Sequence, residues 1–292
     1  MNGVIIVNKP QNITSFGVCG KLRKITGTKK TGHTGTLDPM AEGVLVVCVG
    51  NATRLIDYIK PQSKKYIAEI EFGKTSDTQD IWGEILTKQI PEFSSEAFYE
   101  ELSHFEGELD QLTPAYSARK VNGRALYSYA RNGEDVVRPE KRVTVEKIKV
   151  LETDLPFKAK LEIECSKGTY IRTICADLGE KLGCGAVMSS LVRISTDGFP
   201  IECAHTLDEI EKAFAEGRRD SVILDPGVLI EYLPQIMLKD PKHEKLVICG
   251  GSVTSDEFAE YEGLRVRACS NGRLIALGKV ENSVFKPGKV FV

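Results

Sequence analysis

Two segments of this chain alternate so strictly that they limit what the whole can fold into. In Tyr66-Ile-Ala-Glu-Ile-Glu-Phe72, Tyr66, Ala68, Ile70 and Phe72 fall on one face, and Glu69 and Glu71 on the other. Ala159-Lys-Leu-Glu-Ile-Glu-Cys165 repeats the pattern. Successive strand side chains point to opposite faces, so both segments are predicted as half-buried strands of an antiparallel sheet. Helix signals are fewer. Glu96 to Phe105 carries Phe98, Leu102 and Phe105 on one stripe behind Ser94-Ser95, and Leu207 to Ala215 follows a Thr206-x-x-Glu209 capping box, with Gly217 placed to end it. Strands and helices interspersed without a regular β-α-β repeat argue for an α+β fold with a mixed, largely antiparallel sheet flanked by helices and loops.

The 292 residues suggest about two domains at the usual ~150 residues each. Turn residues cluster at Asp225-Pro226-Gly227 and Leu233-Pro234, which sets an expected division into residues 1–228 and 229–292. The second part reads as a small β-rich domain. Leu264 to Cys269 and Arg273 to Gly278 flank Ser270-Asn271-Gly272, and Asn-Gly between apolar runs is a strong hairpin signal.

Composition excludes several classes. The longest apolar run, Val44 to Val49, is a third of the roughly 18 residues a spanning helix needs, so no membrane association is expected. The N-terminal residues lack the basic, apolar and small-residue zones of an export signal, and the expected compartment is the cytoplasm. The eight cysteines include no Cys-x-x-Cys pair, and several sit inside apolar stretches. They read as small core residues, with neither a disulfide framework nor a metal implied.

Net charge is only −2, yet it is segregated. Residues 1–75 hold eleven Lys/Arg against five Asp/Glu, residues 81–112 hold eight acids against Lys88, and Arg119 to Arg142 holds seven bases against three acids, interleaved with Tyr127 and Tyr129. Basic stretches of this kind suit a polyanion, although each alone also fits a solvated surface.

The segment richest in chemistry is Gly27-Thr-Lys-Lys-Thr-Gly32-His33-Thr34-Gly35-Thr36-Leu37-Asp38-Pro39-Met40-Ala41-Glu42-Gly43. Gly27 to Thr34 approaches a phosphate-binding loop, but His33 replaces the required Lys, and the preceding residues look helical rather than like a buried strand, which disfavours an NTPase. No G-x-S-x-G occurs, which disfavours a serine hydrolase. Asp38 remains. A residue before Pro is biased to extended or turn backbone, so the carboxylate is expected in a rigid loop, as a turn residue or as a catalytic group.

Gly32-His-Thr-Gly-Thr-Leu-Asp-Pro-Met-Ala-Glu-Gly-Val-Leu45 resembles the signature loop of the TruB family of tRNA pseudouridine synthases over fourteen fixed positions. Val7-Asn8-Lys9-Pro10 with Thr14-Ser15, Lys65-Tyr66, Thr113 to Lys120 with Gly123 to Tyr127, and Gly168 to Thr173 resemble further family motifs. The C-terminal segment resembles a PUA domain. Together these cover nearly the whole chain.

The resemblance implies a pseudouridine synthase fold in residues 1–228, an RNA-clasping insertion over about 113–142, and a PUA-like RNA-binding domain in 229–292. It also implies isomerisation of uridine 55 in the T loop of tRNA. Asp38 would be the nucleophile and Arg172 its ion-pair partner. A carboxylate nucleophile must be ionised, and a nearby guanidinium favours that form. Tyr66 would stack on the flipped-out uridine, Tyr170 and Leu191 would line its pocket, and His33 would occupy the space it leaves. Lys9 would contact the substrate, and phosphate contact is expected from Lys21, Arg23, Lys24, Lys29, Lys30, Lys64, Lys65, Arg119, Lys120 and Arg124. The reaction breaks one glycosidic bond and forms another without redox change, so no cofactor is expected. The partner would be the T arm of tRNA, met by a monomer with no obligate protein partner. Two other readings remain open: the catalytic subunit of a guide-RNA-directed synthase, and a non-catalytic tRNA-binding or tRNA-folding protein in which the Asp38 loop is structural.

Overall fold

The computed structural model describes residues 1–291. They form two compact units, one of residues 1–39, 43–60 and 199–291, the other of residues 40–42 and 61–198. Among the described residues, no helix is long and apolar enough to cross a membrane.

The first unit is built on two largely apolar strands. Gly3–Lys9 and Glu42–Val49 pair antiparallel from Gly3 opposite Val49 to Lys9 opposite Gly43, and Thr31–His33 pairs with the end of Glu42–Val49. Gly43 adopts a left-handed φ of 100°, a conformation that costs glycine little, where the loop turns into the strand. Period-two alternation sends the side chains to two different cores. Ile5, Val7, Leu45, Val47 and Val49 pack with Val18, Cys19 and Leu22 of helix Ser15–Thr26 and with Ile210 and Ala213 of helix Leu207–Ala215. Val4, Ile6, Val44, Val46 and Cys48 pack instead with Leu229, Ile230, Cys269, Leu274, Leu277 and Phe291. Chain ends almost 290 residues apart in sequence thus share one core.

Helix boundaries follow the expected chemistry. The Thr206/Glu209 capping box is formed, and Gly217, at φ 72°, follows the end of that helix. Helix Ser95–Ser103 stops two residues short of the expected Phe105, which is nonetheless buried beside the helix end. Six of the eight cysteines are buried as expected, while Cys203 and Cys249 are exposed.

In the C-terminal part of this unit, strands Gln235–Met237, Arg265–Ser270, Arg273–Glu281, Val284–Val290 and Val253–Thr254 lie side by side in that order. The Asn271-Gly272 hairpin is present, with φ of 49° and 74°, as a type I′ turn requires. Ile236, Val247, Phe258, Val266, Ile275, Val280 and Phe285 belong to its own core.

The second unit carries an antiparallel sheet in the order Ala186–Thr196, Lys64–Phe72, Lys158–Cys165, Glu140–Asp154, Gly107–Leu112. Both alternating segments of the sequence are strands here, and their expected faces are buried: Tyr66, Ala68, Ile70 and Phe72 on one, Ala159, Leu161, Ile163 and Cys165 on the other. Charge fixes the same register as burial. Lys65, Glu69 and Glu71 lie directly opposite Glu164, Lys160 and Lys158, and form ion pairs with them at 3.0, 3.2 and 3.2 Å. The α+β, largely antiparallel reading of the sequence therefore holds.

Candidate active site

Asp38 sits in a loop pinned on both sides of it. Ser15 Oγ donates to the Leu37 carbonyl (3.0 Å) and accepts from the Leu37 amide (2.8 Å), a two-way clamp from the first turn of helix Ser15–Thr26. On the other side, the Pro39 carbonyl accepts from the Asn12 amide (2.9 Å) and from Lys9 Nζ (3.4 Å). Leu37 is buried, and Asp38 itself is half-buried. The backbone of the candidate nucleophile is held through its neighbours, the preorganisation that attack at a defined angle requires.

Lys9, expected to contact the substrate, faces inward here. It is fully buried, and its ammonium donates to the carbonyls of Pro10 (2.9 Å) and Ile13 (2.8 Å) as well as Pro39. In this arrangement it ties the loop to the end of its strand. His33 lies half-buried in the strand Thr31–His33, opposite Val47.

Within the second unit, Arg172 occupies the first turn of helix Ile171–Lys181 and is 4% exposed. Its guanidinium donates to the carbonyls of Thr78 (2.9 Å) and Tyr116 (3.0 Å), and lies 3.7 Å from Asp80. Asp80 is buried too, and its Oδ1 accepts from Thr78 Oγ1 (2.8 Å) and the Trp82 amide (3.0 Å). A buried guanidinium is tolerable only when its donors are met, and these groups supply two acceptors and a facing carboxylate.

Tyr170 caps the same helix. Gln111, itself buried, clamps its backbone by donating to its carbonyl (3.0 Å) and accepting from its amide (2.8 Å). Tyr66 and Leu191 lie on adjacent strands, with Tyr66 opposite Arg193 and Leu191 opposite Ala68, and all four are buried. The second unit thus brings an aromatic ring and an apolar neighbour onto one sheet, and a fixed cation to one helix start.

Asp80 and Gln111 are the residues that sequence reasoning missed. Neither belongs to a periodic pattern, and each becomes significant only through a partner 59 or more residues away.

The expected RNA-facing bases divide. Lys64 is only 5% exposed, and burial, with Arg193 beside it, pushes its ammonium down to about 8. Lys65 is partly exposed and paired with Glu164. Arg124 binds Glu134 through two nitrogens (2.7 and 3.0 Å) and stacks over Tyr129, so it folds the insertion internally. Arg119 and Lys120 are exposed beside the short Lys120–Val121/Arg124–Ala125 hairpin.

Comparisons with known proteins agree with this geometry. Residues 23–171 match the family described as TruB family pseudouridylate synthase (N terminal domain), and residues 172–236 match the tRNA pseudouridylate synthase B C-terminal domain. A protein of Clostridium kluyveri named tRNA pseudouridine synthase B is 36% identical over 295 residues, covering all of both chains. Proteins of the same name from Clostridium acetobutylicum and Staphylococcus aureus are each 40% identical, over 89% and 88% of this chain and 88% and 87% of their own. Among solved structures, the crystal structure of a Cbf5-Nop10-Gar1 complex aligns with a TM-score of 0.70 at 26% identity, over 99% of this chain and 85% of that one. With the Asp38 loop and both domain matches on one chain, the protein belongs to the TruB family of pseudouridylate synthases.

Proposed function

We propose that this chain is a stand-alone tRNA pseudouridine synthase acting on uridine 55 of the T loop, with Asp38 as nucleophile. The observation that carries the reading is the loop around Asp38, clamped at Leu37 by Ser15 and at Pro39 by Asn12 and Lys9. A turn residue needs no such fixing on both sides, whereas a nucleophile does.

In the proposed reaction, the target uridine leaves its stack and lies against Tyr66, with Tyr170 and Leu191 closing the pocket and His33 filling the vacated space. The Asp38 carboxylate attacks, at C1′ of the ribose or at C6 of the base, the C1′–N1 bond breaks, and the base turns and rejoins through C5. The C5 proton is then released, and the enzyme is regenerated with no net change of redox state. Arg172, held by Thr78 and Tyr116, would serve as ion-pair partner to Asp38. Exposed Arg119 and Lys120 would meet phosphates of the T arm, and residues 229–292 would act as a PUA-like RNA-binding domain. The same reading includes a cytoplasmic monomer with no obligate protein partner.

A second reading has its own support, because the solved complex that aligns over 99% of this chain contains Nop10 and Gar1 beside its Cbf5. Named relatives at 36–40% identity favour the tRNA enzyme. Release of tritium from C5-tritiated uridine in an unmodified tRNA transcript separates the two. The purified chain alone is expected to release it, and Asp38→Asn to lose turnover by roughly 1,000-fold or more while binding the transcript within about threefold of wild type. Tight binding without release by wild type would favour the partner-dependent or non-catalytic reading.

A further inference from the structure

Trp82 is the only tryptophan of the chain, and half of its surface is open. Single exposed apolar side chains are ordinary. The turn beneath this one is not. Asp80, almost fully buried, accepts from the Trp82 amide at 3.0 Å, and the same carboxylate faces Arg172 at 3.7 Å. Ile81 donates to the Met188 carbonyl (3.0 Å), Met188 donates to Gln79 (3.1 Å), and Glu84 donates through its amide to Asp77 (2.8 Å). A hydrogen-bonded turn anchored on buried Asp80 therefore presents the indole to solvent, one hydrogen bond and one ion pair away from the guanidinium. The turn is also tied to the insertion, since the Arg172 guanidinium donates both to the Thr78 carbonyl within the turn and to the Tyr116 carbonyl.

Charge narrows what this surface takes. Asp77 and Glu84 flank Trp82 in the same turn, so the turn repels phosphate. A neutral π-face beside carboxylates suits the flat face of a nucleobase rather than the backbone. We propose that Trp82 stacks on an unpaired base of the RNA substrate next to the target uridine, and so is a positioning residue for the reaction. The inference rests on the reading of Arg172 as part of a tRNA-modifying site.

Being the single tryptophan, Trp82 reports on itself. Titration of the full-length protein with an unmodified tRNA transcript is expected to quench its fluorescence in parallel with binding measured by filter retention. A fully paired RNA duplex, whose bases are already stacked, is expected to leave the signal unchanged. Trp82→Ala should raise the KM for the transcript about tenfold with kcat within about twofold, and Trp82→Phe should restore most of the loss. An equal unfolding midpoint by circular dichroism would show that the variants fold. Unchanged fluorescence at RNA saturation, equal quenching by the duplex, or an unaltered KM in Trp82→Ala would overturn the proposal while wild-type turnover left the tRNA reading intact. Absence of both tritium release and tRNA binding in wild type would overturn that reading, and this one with it.

Discussion

The segments carrying Asp38 and Arg172 are fixed by opposite means. Asp38 is positioned through its neighbours: Ser15 grips Leu37, and Asn12 and Lys9 grip Pro39. Arg172 is positioned through its own side chain, which spends donors on the Thr78 and Tyr116 carbonyls and faces buried Asp80. The first arrangement fixes the backbone on both sides of a carboxylate. The second makes a charged side chain part of the scaffold itself. Damage to the first should therefore appear mainly in rate, and damage to the second mainly in stability.

The largest expected effect breaks the second arrangement. Asp80→Ala takes a buried carboxylate away from the Arg172 guanidinium and the acceptor away from the Trp82 amide, and should lower unfolding free energy by about 3–5 kcal/mol in urea titrations. Asp80→Asn keeps the shape and an oxygen acceptor, so it should lose visibly less. Equal stability of the alanine variant and wild type would show that the two carbonyls suffice to hold Arg172.

A second buried cation in the same unit sharpens the contrast. Lys64 is pushed down to about 8 chiefly by burial, next by Arg193, with Asp197 opposing and Lys167 adding to the shift. Below pH 8 both folded and unfolded chains carry the proton, and the full desolvation penalty applies. Between about 8 and 10.5 the folded state releases the proton while the unfolded state keeps it, so stability rises with pH across that window. The gain should approach about 3 kcal/mol, and Lys64→Met should remove that part of the rise. Parallel pH profiles for the two proteins would show that Lys64 keeps an ordinary ammonium.

How legible such residues were in the sequence depends on whether their environment is periodic. Tyr66 to Phe72 and Ala159 to Cys165 could be read because burial on one side of a sheet imposes a period of two. The same period contained a warning about Lys64. It shares parity with Tyr66, Ala68 and Ile70, which points it inward, whereas Lys65 points outward to Glu164. Lys9 likewise continues the parity of Ile5 and Val7 into the core. Asp80 and Gln111 had no local signal, because their partners arrive from distant segments. The Asn271-Gly272 turn was legible because its residues tolerate positive φ, but Asn282-Ser283, with φ of 54° and 56°, makes a similar turn without glycine to mark it.

The smallest expected effect in stability tests the first arrangement most sharply. Ser15→Ala removes both halves of the clamp on Leu37, leaving a buried amide and carbonyl to find other partners, at a cost of about 1–2 kcal/mol. Asn12 and Lys9 still hold Pro39, so the loop stays folded but loses one of its two fixed points. Since a misplacement of about 1 Å can cost on the order of 100-fold in rate, kcat for tritium release should fall at least about tenfold while KM stays within about twofold. Ser15→Cys, with a weaker and longer-reaching donor, should fall between alanine and wild type. A kcat drop out of proportion to the stability loss is what positioning through neighbours predicts. If kcat is unchanged while stability falls, the clamp serves only the helix start, and Asp38 is placed by contacts of its own.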